Sequence, residues 1–147
     1  MTDPHPTSSV DDCRIIELPR VRHANGSLTV AENIDPELPF EIRRVFYIYD
    51  VPADAGRGGH SHYSDLALIV ALTGSFDVVV DDGVNRRTFT LNRPYKALYV
   101  PAGIWSTLTE FSGGAVCMVL TSQRYSEADY VRDYDEFLRL TAPKRTK

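Results

Sequence analysis

Two histidines stand one residue apart in this sequence, in the run Gly58-Gly59-His60-Ser61-His62. Side chains of a β-strand alternate between its two faces, so both imidazoles point to the same side if the run is extended. A glycine pair precedes them and the apolar residues 66–72 follow, which places them where a loop enters a buried strand. An ordinary histidine pKa of about 6.5 suits proton transfer at neutral pH. The pair predicts a general acid and base site, and the alternative is two rings lining a wet barrel mouth.

The residues around the pair do not complete a metal site. Metal-binding cupins, which are small β-barrels with a His-x-His pair, add an acidic ligand about four residues later and a last histidine after a Pro-x-Gly turn. Here Leu66 stands at the acidic position, and Asp65 points to the opposite face of a strand. The turn is present as Pro101-Ala102-Gly103, but Ser106 replaces the histidine. Zinc and iron usually need at least three protein ligands, so we expect no metal and no other cofactor.

The elements that must position the pair are mostly strands. Short β-rich runs alternate with turn signals at close intervals, which predicts an all-β sandwich or barrel. Asp82-Gly83 predicts a hairpin, and Gly74-Ser75 predicts a tight corner. The predicted strands cover residues 13–18, 27–32, 42–49, 66–72, 76–80, 87–91, 97–100, 106–110 and 116–122.

The end of the sequence changes to a helical period. Ser126, with Asp129 three residues later, resembles a capping box, and we expect a single C-terminal helix to begin there. Its apolar stripe is expected to pack against the barrel or a partner subunit rather than to line a cofactor site. The stripe consists of Tyr130, Val131, Tyr134, Phe137 and Leu138.

Composition predicts one domain with a small ligand. We expect a loose, disordered tail over residues 1–12, a single domain over 13–141 and a second tail over 142–147. The net charge is −4 with scattered basic residues, which argues against nucleic acid, and no apolar stretch is long enough to span a membrane. Cys13 and Cys117 form no C-x-x-C unit and follow no apolar signal segment. We expect buried thiols in a cytoplasmic protein.

Motifs along most of the chain point to one family. From about Ile15 to Phe137, the sequence resembles the WxcM-like sugar 3,4-ketoisomerases of thymidine-diphosphate sugar pathways. These are metal-independent cupins that convert a dTDP-4-keto-6-deoxyhexose into its 3-keto isomer. The motifs are Pro39 to Tyr47, Arg57 to His62, Gly74-Ser75, Asp81-Asp82-Gly83, Leu98 to Pro101, Ile104-Trp105 and residues 125–135.

The resemblance implies a fold, an activity and a set of site residues. It implies a cupin jelly-roll barrel, a homodimer and isomerisation through an enediol by proton transfer. His60 is the leading catalytic residue, His62 assists it, and Tyr47 is a candidate phenol. Arg57 is expected to contact the diphosphate, because its guanidinium fork matches phosphate oxygens. The remaining candidate substrate contacts are Arg44, Ser106, Trp105, Asn25 and Tyr49.

Several positions differ from the family pattern. Phe46 replaces the first of two motif tyrosines, Asn25 replaces an arginine, and Ser106 replaces the histidine or arginine that follows the tryptophan. Tyr63 and Leu66-Ala67 make the pocket floor more apolar. The sugar and its C4 configuration therefore stay open. Alternatives are an epimerase, a ketoisomerase for another nucleotide sugar, a nucleotide-sugar binding protein without turnover, and a metal-dependent oxygenase.

Overall fold

The computed structural model describes residues 5–52 and 54–142 and is built almost wholly of β-strands. The first six strands are β1 (Arg14–Glu17), β2 (Arg20–His23), β3 (Gly26–Thr29), β4 (Arg44–Ile48), β5 (Arg57–His62) and β6 (Ala67–Thr73). The next six are β7 (Phe76–Asp81), β8 (Arg86–Leu91), β9 (Lys96–Val100), β10 (Trp105–Thr109), β11 (Val116–Thr121) and β12 (Tyr130–Val131). One α-helix, α1 (Tyr134–Leu140), follows them.

Two antiparallel five-stranded sheets form the jelly-roll barrel. The first has the order β1-β9-β6-β11-β4, and the second has the order β12-β5-β10-β7-β8. Strands β2 and β3 form a separate hairpin. The prediction of an all-β cupin fold with one C-terminal helix is confirmed, and so is the hairpin at Asp82-Gly83, where Gly83 has a φ of 89°.

Alternation along the strands builds the core. On β6, Ile69 and Ala71 point between the sheets, where they join Val78 and Val80 of β7. Leu68 points to the outer side of the first sheet and packs in a second apolar cluster. Both faces of β6 are therefore covered, which is why its sequence is continuously apolar. The predicted buried thiols of Cys13 and Cys117 are also confirmed, and both are free.

The prediction of a helix from Ser126 is wrong at its start. Residues Glu127–Asp129 form a single 3₁₀ turn, Tyr130–Val131 forms β12, and the α-helix begins only after Asp133, whose carboxylate accepts a hydrogen bond from Asp135 N at 3.0 Å. Ser126 makes no capping hydrogen bond with its side chain. Tertiary pairing with β5 overrides the local helical pattern.

The expected N-terminal tail is also corrected over its described part, residues 5–12. Val10 is buried in the core between the sheets, and its backbone N donates to Asp82 Oδ2 at 2.9 Å. His5 is buried and bonds through Nε2 to Ser61 Oγ at 2.9 Å. A few apolar and aromatic contacts suffice to fix a segment of otherwise polar composition. Residues 1–4, and residues 143–147 of the expected C-terminal tail, lie outside the described residues. Within the described ranges, the helix is too short to cross a membrane.

Candidate active site

A cavity of about 620 Å³ lies between the two sheets. Its walls come from β4, β6, β9 and β11 of the first sheet and from β5, β10 and β12 of the second. Six of the predicted site residues line it, namely Arg44, Tyr47, Arg57, His60, His62 and Ser106.

Strand β5 places both histidines on the cavity side. The ring centroids of His60 and His62 are 4.9 Å apart, in an edge-to-face arrangement. Ser61 between them is fully buried on the opposite face, where its hydroxyl meets His5. The prediction that both imidazoles point the same way is therefore confirmed, and they lie within the strand rather than before it.

A carboxylate holds the second imidazole. His62 Nδ1 lies 3.0 Å from Asp129 Oδ2. The same carboxylate accepts hydrogen bonds from Ser64 N at 3.0 Å, Ser64 Oγ at 2.6 Å and Asp65 N at 3.0 Å. Asp129 is thus bonded on both oxygens, and its position relative to His62 is fixed.

Strand β12 covers the histidine pair. Tyr130 pairs in register with His62, and its ring centroid lies 4.3 Å from that of His62 and 5.2 Å from that of His60. The Arg132 guanidinium lies 4.1 Å from the Tyr130 ring centroid and bonds to Glu127 at 2.6 and 2.9 Å. Tyr130 and Arg132 both line the cavity, so this segment forms part of its wall.

Burial changes the proton affinity of both histidines. It lowers the pKa of His60 to about 4, with further lowering from His62 and the Arg132 guanidinium. Burial also lowers the pKa of His62, although the carboxylates of Asp65 and Asp129 oppose this effect. The expectation of ordinary values near ~6.5 is therefore wrong, because little water reaches the rings. Both imidazoles are neutral at neutral pH and can accept a proton.

Two arginines give the cavity positive charge. Arg44 on β4 lies 4.5 Å from the Phe46 ring centroid and 5.1 Å from that of Tyr125. Arg57 begins β5 and is exposed. Neither guanidinium forms an ion pair within residues 5–52 and 54–142. Both are therefore available to an anionic ligand.

Trp105 does not reach the cavity. Because β10 alternates, Ser106 points inward and Trp105 points outward, beneath α1. The indole centroid lies 5.2 Å from the Tyr134 ring and 5.6 Å from the Phe137 ring. Trp105 therefore packs between β10 and α1 and lies outside the cavity lining, and its expected substrate contact stays a prediction.

Three predicted residues have side chains that are largely exposed to solvent. Tyr47 and Tyr49 are 61% and 60% exposed, and their ring centroids are 6.0 Å apart. Tyr47 stands on the face of β4 opposite to Arg44 and Phe46, and Tyr49 follows the end of this strand at Ile48. Asn25 is exposed in the turn of the β2–β3 hairpin. Neither Asn25 nor Tyr49 lines the cavity of the single chain.

Sequence reasoning missed the contributions of Asp129, Tyr130 and Arg132. The helical spacing of residues 126–138 assigned Tyr130 to a packing stripe and Asp129 to a cap. The signal that identifies them is the pairing of β12 with β5, which joins residues 67 positions apart at His62 and Asp129. No local pattern contains this information.

The cavity residues do not form a cluster of metal ligands. In register, Ser106 lies opposite His60, where a metal-binding cupin places its last histidine. Within the described ranges, no group of three or more histidine, cysteine, aspartate or glutamate side chains is arranged to hold a metal ion.

Comparison with known proteins gives consistent matches. The model of the family described as "FdtA: WxcM-like, C-terminal" matches residues 11–142. A TDP-4-oxo-6-deoxy-alpha-D-glucose-3,4-oxoisomerase of Aneurinibacillus thermoaerophilus is 37% identical over 129 residues, covering 88% of this chain and 92% of the relative.

Solved structures agree with these matches. The WlaRB TDP-quinovose 3,4-ketoisomerase of Campylobacter jejuni is 41% identical with a TM-score of 0.82, covering 87% of this chain and 98% of the other. A mutant of the 3,4-ketoisomerase QdtA of Thermoanaerobacterium thermosaccharolyticum, solved in complex with TDP-4-keto-6-deoxyglucose, is 30% identical with a TM-score of 0.87, covering 92% and 97%.

Proposed function

Because the chain belongs to the FdtA family of WxcM-like proteins, we propose that it is a TDP-sugar 3,4-ketoisomerase. It moves the carbonyl of a TDP-4-keto-6-deoxyhexose from C4 to C3. The observation that carries this proposal is the pair of neutral imidazoles, His60 and His62, 4.9 Å apart inside the cavity. Two adjacent proton acceptors suit a reaction that consists of proton transfers.

The isomerisation moves two protons. A base takes the proton from C3, the electrons form an enediol, and C4 receives a proton. The C3 hydroxyl loses its proton as the new carbonyl forms, and the C4 oxygen gains one. His60 and His62 are proposed to carry these transfers, because they are the imidazoles in the cavity wall. Net charge and oxidation state do not change, so the chemistry requires no redox cofactor.

The diphosphate of the substrate is proposed to bind the two free guanidiniums. Arg44 and Arg57 lie on opposite sheets of the cavity, and each offers a planar fork that matches phosphate oxygens. Ser106 is proposed to contact the sugar from β10, since it pairs in register with His60. Binding of a nucleotide sugar is also what the QdtA complex with TDP-4-keto-6-deoxyglucose supports.

Proton NMR of the purified protein with TDP-4-keto-6-deoxyglucose in deuterated water tests the activity. We expect loss of the C3 proton signal together with the appearance of a 3-keto sugar, with or without EDTA. Exchange at C3 without product favours an epimerase. Binding without exchange favours a nucleotide-sugar binding protein. Stoichiometric bound iron without formation of a 3-keto sugar favours a metal-dependent oxygenase.

We further propose that the enzyme is a homodimer. On the outer side of the first sheet, the edge strand β4 exposes Val45 and Tyr47, at 52% and 61%, and Tyr49 just after the strand is 60% exposed. The β2–β3 hairpin exposes Val21 and Leu28, at 49% and 57%. Exposed apolar side chains at an unpaired sheet edge are typical of a subunit interface.

The proposed dimer accounts for the predicted site residues that are exposed in the single chain. Tyr47 stands on β4, Tyr49 directly follows it, and Asn25 stands at the tip of the exposed hairpin. In this proposal all three contribute to subunit contact, and Tyr47 also lines the cavity of its own chain. A cytoplasmic location is also proposed, supported by the free thiols of Cys13 and Cys117, which suit a reducing compartment.

A further inference from the structure

The carboxylate of Asp129 is surrounded by donors. Its Oδ2 accepts from Asp65 N at 3.0 Å and lies 3.0 Å from His62 Nδ1. Its Oδ1 accepts from Ser64 N at 3.0 Å and from Ser64 Oγ at 2.6 Å. Each oxygen therefore accepts a hydrogen bond from a backbone N–H. Rotating the carboxylate would exchange its two oxygens and leave both of these hydrogen bonds in place.

This geometry fixes the tautomer of His62. A carboxylate only accepts hydrogen bonds, so Nδ1 of the ring must carry the proton that it shares with Asp129. The neutral ring then has its lone pair on Nε2. Because His62 lines the cavity, Nε2 is the atom left to accept a proton from a ligand there.

We propose that Asp129 is a positioning residue that holds His62 as the Nδ1–H tautomer and stabilises the imidazolium formed when Nε2 accepts a proton from the sugar. This rests on the proposed ketoisomerase function. The proton enters on Nε2 as its bond to the sugar breaks, and it leaves from Nε2 when the sugar is reprotonated. His62 therefore carries the same protons at the end of the cycle as at its start.

The other charged groups around His62 do not replace Asp129. Asp65 also acts on His62, but its Oδ1 is occupied by Ser122 N, Ser122 Oγ and Gln123 N. The Arg132 guanidinium lowers the pKa of both imidazoles, His62 lowers that of His60, and the Tyr130 ring packs with its centroid 4.3 Å from that of His62. Within residues 5–52 and 54–142, Asp129 is the carboxylate hydrogen-bonded to the ring.

The tautomer is measured directly by ¹⁵N NMR of the wild-type imidazoles in the absence of substrate. The chain has four histidines, so the ring signals can be assigned by single substitutions. We expect His62 to show the Nδ1–H pattern. An Nε2–H pattern at neutral pH overturns the proposal. Since this measurement needs neither turnover nor a variant at Asp129, it stands even if the wild type shows no ketoisomerase activity, which would overturn only the proposed function.

Asp129→Asn tests the consequence for catalysis. In either orientation, the new amide NH₂ faces a backbone N–H of Ser64 or Asp65, and the negative charge is lost. We expect kcat to fall about 10- to 100-fold, with KM changing less than about threefold. The acid limb of kcat should move to lower pH, because the carboxylate no longer favours the imidazolium.

The controls separate positioning from a structural role. Asp77→Asn removes a carboxylate that accepts from Thr90 Oγ1 at 2.7 Å and does not line the cavity, and it should leave kcat and its pH profile unchanged. Asp129→Glu should recover part of kcat and keep the Nδ1–H pattern. If Asp129→Asn lowers kcat only in proportion to its unfolded fraction, with the acid limb in place, the proposal is wrong.

Discussion

At the scale of residues, His60 and His62 are the same type of side chain in two different environments. His60 faces His62 and Arg132, whereas His62 is bonded to Asp129. A conjugate acid is therefore easier to form on His62 than on His60. The environments, rather than the residue type, divide the work of proton transfer between them.

His60→Asn should abolish turnover while leaving the affinity for TDP within about threefold. A catalytic base acts on the transition state, so its loss affects kcat far more than ground-state binding. We expect kcat to fall by about 10²–10⁴, the usual range for removing general base catalysis. NMR turnover and calorimetric titration with TDP check this. Equal losses of turnover and affinity would instead assign His60 a structural role.

The buried histidines should make folding stability depend on pH. Burial lowers the pKa of His5, His60 and His62 in the native chain. Below about pH 6.5, the unfolded chain therefore binds more protons than the native chain does. Stability should therefore decrease as the pH falls from about 6.5 towards 4. His60, whose pKa is about 4 in the fold, contributes on the order of 3 kcal/mol to this loss.

Urea denaturation at pH 7 and pH 4.5 measures the effect. His60→Asn removes one of the three groups, so its free energy of unfolding should fall less between the two pH values than that of the wild type. The same decrease in both proteins would show that His60 does not supply the expected part.

At the scale of elements, β5 is held from both sides. Its cavity face carries the two imidazoles beneath β12, and its outer face packs against Trp105 and the N-terminal segment. A Cβ on Gly59 would lie 2.2 Å from Trp105 Nε1 and 2.8 Å from Thr107 Oγ1. Glycine is needed here because the indole occupies the space of a side chain.

Gly59→Ala should therefore destabilise the protein and displace the indole. Overpacking of this kind costs about 1–3 kcal/mol. Trp105 is the single tryptophan, so its fluorescence reports the displacement. Gly58→Ala is a matched control, because no atom lies within 4 Å of the Cβ it would add. The interpretation fails if both variants unfold at the same urea concentration and have the same emission spectrum.

At the scale of the whole molecule, the two sheets of the barrel enclose the candidate active-site cavity. The edge strand β4 exposes apolar side chains on the outside of the barrel. The inner face of β4 supplies Arg44 to the cavity, and its outer face supplies Val45 and Tyr47 to the proposed interface. One strand thus connects the subunit contact with the substrate site.

Tyr47→Glu should dissociate the proposed dimer. Burying a charge in an apolar interface without a partner is costly, so the variant should behave as the 16.5 kDa chain while the wild type has about twice that mass. Val84→Glu is the matched control, because Val84 is 55% exposed in the β7–β8 turn, away from β4. Sedimentation equilibrium decides between the two states. A wild type that sediments as one chain overturns the dimer.

Much of this protein was determined by local sequence. Alternating β-rich runs and the Asp82-Gly83 turn predicted the β-barrel, since strand alternation and hairpin chemistry act over a few residues. The spacing of His60 and His62 likewise fixed their common face. These features depend on backbone geometry alone, and the sequence contains that information directly.

Only the tertiary structure decided the surroundings of the site. Pairing of β12 with β5 placed Asp129 on His62 and turned a helical pattern into a strand. Burial lowered the pKa of both imidazoles, and the phase of β10 turned Trp105 away from the cavity. Hydrogen bonds and desolvation between distant segments depend on which segments meet, and that is a property of the whole fold.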